Sequence, residues 1–283
     1  MNQKSIKAEN RTLNIIQYAF CVIIFLVITI PLYISVIGGF KSVGQLRAQP
    51  VALPDPVMWH QYTDMLIGKI GSFWRGLMNS LITGIGTVAV ILVVGTFAGY
   101  ALARIRFKLN NIIYIYFTLG LLFPLAVAIL PLYVQLRTFK LLDTLIGVIL
   151  PQAAFGLSMM ILLLRGFIKQ IPMELEEAAA IDGYDRFGFL FKIVVPLSTP
   201  ILATVSVLTF VASWNNFFTP LLVLNTQSKF TLPLGVMDFM GEYAADWNYI
   251  LAFLTLAMIP SIIFYILCQK YIVSGLTSGA IKG

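Results

Sequence analysis

The chain has 283 residues, 59% hydrophobic and only 11% charged, with a mean hydropathy of +0.90; this excludes an ordinary soluble domain and defines a polytopic membrane protein. Its net charge of +7 does not point to nucleic acid, because the basic residues are scattered at span ends and in loops. Cys21 and Cys268 fall in apolar runs and His60 is the single histidine, so neither a disulfide framework nor a Cys/His metal site is expected.

The first span is expected over residues 14–38, after Lys4, Lys7 and Arg11, with Pro31 near its outer end. The run is longer than a signal-peptide core and lacks a small-x-small cleavage site, so it reads as an uncleaved anchor. Residues 39–77 read as a long polar loop, with Trp59, Tyr62 and Trp74 suited to the membrane interface. Span two, 78–103, carries Gly84, Gly86, Gly95 and Gly99 for close helix contact and stops at Arg104, Arg106 and Lys108. Span three, 112–136, contains Pro124 and Pro131, which must kink it or interrupt its hydrogen bonds. Span four covers 145–164, span five 199–224 and span six 249–268, with an outer loop at 225–248.

Between spans four and five lies ELEEAAAIDGYDRFGFLFKIVVPLSTP, the most charged long segment of the chain. Pro172 suits a helix start, Glu174, Glu176 and Glu177 load the positive N-terminal end, and Ala178, Ala179 and Ala180 are strong helix formers. Gly183 ends this helix, Asp185 caps a second one bearing Phe187, Phe189, Leu190 and Phe191, and Pro196 is expected to break it. Small side chains permit close approach of a partner, and a glutamate is an anchor for basic groups. The segment reads as a plug made to be gripped.

Of the 19 Lys and Arg residues, 12 fall in residues 1–13, 102–111, 165–199 and 269–283, and 7 in the opposite loops. The positive-inside bias then places both termini and the 165–198 loop in the cytoplasm. None of the Asp, Glu, Lys and Arg residues lies inside the six spans, unlike the usual proton- or ion-driven transporter. There is no G-x-x-x-x-G-K-[ST] loop, so energy from ATP must come through a partner chain. A stand-alone channel or facilitator for a neutral solute would share the charge-free spans but leaves the docking segment unexplained. A membrane-embedded enzyme would need an acid, base, nucleophile or metal constellation, and no catalytic set is visible.

In span five, Thr209, Ser213, Trp214, Asn215 and Asn216 place several hydrogen-bonding groups within two helical turns, where lipid alone would not satisfy them. They are candidates for the substrate path. On a continuous helix Asn216 neighbours Ala212 and Pro220. The competing reading has the amides bonded to neighbouring helices and Trp214 anchored at the interface.

The spacing Glu177-Ala178-Ala179, then Gly183, Ile193 and Pro196, matches the EAA loop of ABC-importer membrane subunits, with Val195 where leucine is usual. With GYALARIRFKLNN from Gly99, LPLYVQLRTFKLLDTLIGVILP from Leu130, SWNNFFTPLLVL from Ser213 and the tail GLTSGAIKG, the chain resembles the MalG-like permeases of maltose-type carbohydrate importers over nearly its whole length. The resemblance implies an all-α, six-span type I importer permease fold and a non-catalytic subunit that works with a second, MalF-like permease, two cytoplasmic ATPase subunits and an extracytoplasmic solute-binding protein. ATP and Mg would be bound in the ATPases, with no cofactor on this chain, and the setting would be a bacterial or archaeal cytoplasmic membrane. It implies that Glu177, Ala178, Ala179 and Gly183 seat in an ATPase cleft. It also implies that Gly279, Ala280, Ile281, Lys282 and Gly283 reach toward the ATPase pair and that 225–248 faces the binding protein.

Overall fold

The computed structural model describes residues 3–241 and 245–280, with the side chains of 3–13, 15 and 270–280 undescribed. Of the tail assigned above to the ATPase, Ile281, Lys282 and Gly283 lie outside the described residues, and Gly279 and Ala280 are described only as helical backbone.

The chain divides into two compact units. The first comprises residues 1–71 and 239–256 and contains α1 (Gln3–Gly38), α2 (Val43–Ala48) and α3 (His60–Leu66). The segment expected as a polar loop is folded here. Ser42 and Gln45 form a reciprocal capping box at the start of α2. Lys41 is 1% exposed, and its ammonium donates to the carbonyls of Gln49 (2.8 Å) and Pro50 (2.9 Å). Burial lowers its pKa, and the carbonyl oxygens supply the hydrogen bonds a buried ammonium needs. Tyr62 donates to Val36 O at 3.0 Å, tying α3 to the end of α1.

The second unit, residues 72–238 and 257–283, holds α4 (Phe73–Arg104), α5 (Asn110–Gly120), α6 (Leu125–Thr138) and α7 (Leu145–Ile168). It continues through α8 (Glu174–Ile181), α9 (Arg186–Phe189), a π-helical turn at Leu190–Val194, α10 (Val195–Leu197), α11 (Thr199–Trp214) and α12 (Phe218–Val223). The last helix, α13 (Trp247–Ala280), belongs to the first unit up to Leu256 and to the second thereafter. The core of the second unit packs Ile91 of α4 with Ala153, Met160 and Leu164 of α7 and Ile201 and Val205 of α11. Gly99 makes the α4–α7 contact possible, since a Cβ there would lie 3.0 Å from Leu164 Cβ. Without a hydrophobic drive between helices in lipid, such close backbone approach is the main source of packing.

Four helical stretches are long and apolar enough to cross a membrane: Ile16–Gly38, Phe73–Arg104, Leu145–Ile168 and Trp247–Gln269. Two further candidates are bent pairs, Asn110–Gly120 with Leu125–Thr138 at 103° and Arg186–Leu197 with Thr199–Trp214 at 74°. The run expected as span three is therefore interrupted ahead of Pro124, not merely kinked, while Pro131 sits inside α6 without ending it. Span five is also discontinuous: α11 stops at Trp214 and α12 starts at Phe218, so Asn216 lies in the break and not at helical spacing from Ala212 and Pro220. Pro196 does not end the helix either. The π turn immediately before it widens the backbone where the proline lacks a donor, and the bend falls after Leu197.

Candidate docking loop and polar cavity

The loop between α7 and α11 is built by local rules and then locked by one arginine. Three glutamates occupy the first turn of α8. At its C-terminal end Gly183 has φ +83°, its N–H donates to Ala180 O (3.1 Å), and Tyr184 N–H reaches back to Ala179 O (2.9 Å). This is a Schellman ending, which needs the left-handed conformation that glycine adopts freely. Asp185 then accepts from Gly188 N–H at 2.8 Å and starts α9, as expected of an N-cap.

Ala179, Phe189, Leu190 and Val194 are buried together with Tyr100, Ile168 and Ile171, and Ile193 packs against this cluster. Two of the sequence candidates thus face the loop's own core: Ala179 is 2% exposed and Ile193 half-buried, whereas Glu177, Ala178, Gly183 and Pro196 are exposed. Ala179 is small because it packs inward, and Ala178 presents the small outward surface. Ile181, Phe187 and Phe191 of the same loop are large apolar side chains open to the surface. Arg104, at the end of α4, has a side chain only 5% exposed; it donates to the carbonyls of Ile168 (2.9 Å) and Ile171 and stands 3.6 Å from the Glu176 carboxylate. The loop packs around its own apolar cluster and presents Glu174, Glu177 and large apolar side chains to the surface.

Within the helices, the five substrate-path candidates separate. Thr209, Ser213 and Asn216 line a cavity of about 270 Å³ together with Thr87 of α4 and Gln152 of α7. Ser213 donates to Gln152 Oε1, and Thr87 Oγ1 lies 3.4 Å from the same oxygen. Gln152 Nε2 and Thr209 Oγ1 are buried with no hydrogen-bond partner among the described residues, so each residue brings an unsatisfied polar group to the cavity lining. Asn216 caps α12 by accepting from Thr219 N–H at 2.9 Å. Trp214 and Asn215 face elsewhere, toward Phe264 and Tyr265 of α13, and Trp214 is buried against Phe210 at 5.6 Å. Gln152 and Thr87 are the polar members of the cavity that lie outside span five.

On the opposite side, Asp143 fastens the segment following α12. Its carboxylate accepts from Asn225 N–H (3.0 Å), Thr226 N–H (2.9 Å) and Thr226 Oγ1 (2.7 Å), and pairs with Lys229 at 2.7 Å. These contacts, the Lys229 bond foremost, hold its pKa well below the usual carboxylate range, so the knot stays charged at any physiological pH.

Apolar helices interrupted by bends, with a separately packed helical loop between α7 and α11, fit the architecture of an importer permease. The fold matches that of a chain in the crystal structure of a bacterial ABC transporter involved in the import of the acidic polysaccharide alginate, with a TM-score of 0.78, 23% identity and coverage of 93% and 97% of the two chains. Residues 91–278 match the family described as binding-protein-dependent transport system inner membrane component, and the chain belongs to that family. It is similar to a putative ABC transporter permease, ORF2, of Caldicellulosiruptor sp., 35% identical over 94% of this chain and 96% of the relative. It also resembles the probable starch degradation products transport system permease AmyC of Thermoanaerobacterium thermosulfurigenes, 33% identical over 89% and 91%. It is thus an ABC-importer permease subunit of the inner membrane, not a stand-alone channel.

Proposed function

We propose that this chain translocates a neutral saccharide delivered by a solute-binding protein. In this reading it pairs with a homologous, MalF-like permease, and two ATPase subunits that bind ATP and Mg dock on its 165–198 loop. The chain itself catalyses nothing. The exterior of that loop carries the reading: Glu177, Ala178 and Gly183 are exposed on a loop that has its own buried apolar cluster, and Glu177 makes no ion pair among the described residues. Closure of the ATPases then pulls on a rigid lever rather than a flexible loop. The saccharide class is supported by the transport role named for AmyC and by the neutral hydrogen-bonding groups of the Gln152 cavity.

The test is assembly. The ATPase should co-purify with the wild-type chain, and Gly183→Pro and Glu177→Lys should each lower co-purified ATPase and uptake at least tenfold while membrane abundance is kept. Proline is restricted to φ near −65°, opposite in sign to the +83° at this turn, and lysine reverses the charge offered to a basic cleft. Normal uptake by both variants would remove the loop as the docking site.

The reading includes six spans with both termini in the cytoplasm of a bacterial or archaeal cell. A cysteine at Ser228, exposed on the outer loop, should react with an impermeant thiol reagent in intact cells, and one at Asp182 should react only after permeabilisation. The reverse labelling pattern would invert the topology.

A further inference from the structure

A second cavity, about 650 Å³, lies where the ends of α4 and α7 meet the start of α5. Five cations line it, Arg104, Arg106, Lys108, Arg165 and Lys169, and no Asp or Glu is among the lining residues. Arg104 is engaged with the docking loop, and Arg165 donates through Nε to Leu102 O (3.2 Å) with its guanidinium 3.7 Å above the Tyr114 ring. Arg106, Lys108 and Lys169 are exposed and form no ion pair among the described residues. Mutual repulsion of so many cations around one hollow costs free energy unless an anion enters it. The first turn of α5 also faces this cavity through Asn110 and Asn111 and has no side-chain cap, which adds partial positive charge.

The surroundings indicate what kind of anion. Beside the cations, Phe107, Leu109 and Ile112 are exposed apolar side chains. Farther along the same pair of helices, an apolar cavity of about 610 Å³ runs between Tyr116, Phe117 and Phe123 on one side and Phe155, Leu157 and Ser158 of α7 on the other. Seven residues separate Ser158 from Arg165, so the apolar cavity begins about 10 Å from the cations at about 1.5 Å per helical residue. A charged head beside a parallel apolar trough has the dimensions of a phospholipid, not of a free phosphate.

We propose that this basic cavity binds the headgroup of an anionic phospholipid from the cytoplasmic leaflet, with an acyl chain lying in the α5–α7 trough. The site is independent of the transported solute. Because Arg104 links one wall to the docking loop, an occupied site braces the loop's root.

The test uses the purified, assembled transporter and native mass spectrometry with phosphatidylglycerol or phosphatidylcholine. The wild type should retain phosphatidylglycerol preferentially, and Arg106→Gln/Lys108→Gln/Lys169→Gln should bind it roughly a hundredfold more weakly with phosphatidylcholine unchanged, at about a factor of five per lost surface cation. These three side chains are exposed and form no ion pair among the described residues, so the variant should remain folded. Equal retention of the two lipids by the wild type, or undiminished phosphatidylglycerol in the triple variant, would overturn the proposal. Competition by water-soluble glycerol 3-phosphate at lipid-like concentrations would overturn it by showing a phosphate site without a chain. Loss of co-purified ATPase with lipid retention unchanged would overturn it by making the cavity a protein-docking surface.

Discussion

Arg104→Gln is expected to free the docking loop from the bundle and to abolish coupled transport, the largest loss of any single substitution in this chain. The guanidinium holds the carbonyls of Ile168 and Ile171, which end α7 and begin the loop, and it faces Glu176 in the first turn of α8. Glutamine is shorter and neutral. It removes a donor from both carbonyls, of which Ile168 O keeps only the Ile171 N–H, and leaves a partly buried carboxylate, whose Oε2 has no hydrogen bond among the described residues, beside no cation. Leaving buried hydrogen-bonding groups without this donor costs about 1–3 kcal/mol, and here the cost falls on the loop rather than on the spans. The variant should therefore insert normally, but trypsin should cut at Lys169 and Arg186 at least tenfold faster and co-purified ATPase should fall in parallel. Arg104→Lys should be intermediate, since a single ammonium keeps the charge but loses the planar fork that reaches two carbonyls. Unchanged proteolysis with unchanged transport would dispose of the anchoring role.

The parts of this fold that depend on neighbours along the chain are legible in the sequence itself. Gly183 as a helix ending and Asp185 as a cap rest on backbone rules spanning four or five residues, and both hold in detail. The parts that escape such rules depend on distant partners. Hydropathy averages over a window, so residues 112–136 and 199–224 read as continuous spans although each contains a turn that the average cannot register. Lys41 reads as a loop cation because its cage of carbonyls exists only after the 39–71 segment folds back on itself. Ala179 and Ala178 are equivalent in composition, and only the side of α8 that meets Tyr100 and Ile168 distinguishes the packed one from the presented one. Gln152 does carry a signal, an amide in the middle of an apolar run, but a search of the spans for charged residues passes over it.

Gln152→Leu is expected to reduce solute uptake at least tenfold while hydrolysis stimulated by the binding protein continues. The side chain stands where α4, α7 and α11 converge, and its oxygen is shared by Ser213 and Thr87. Leucine is close to glutamine in volume, so packing is nearly conserved, and the released hydroxyls can turn to carbonyls four residues back on their own helices. The stability cost is thereby limited to about 1–3 kcal/mol, the usual range for hydrogen-bonding groups left in a poorer environment. The cavity loses far more as a chemical surface, because the Nε2 donor, which has no partner among the described residues, disappears together with its acceptor. A sugar hydroxyl crossing the bundle needs such a donor and acceptor pair at each step, and a site built to hydrogen-bond a solute discriminates strongly once that pair is gone. Thr209→Val, which deletes the other unpartnered group without touching the Gln152 contacts, should act in the same direction with a smaller effect. If Gln152 only ties three helices together, the leucine variant should lose thermal stability and assembly with the partner permease, and the transporters that do assemble should show an unchanged KM for uptake. A raised KM at normal assembly places the cavity on the solute path; normal uptake in both variants takes it off.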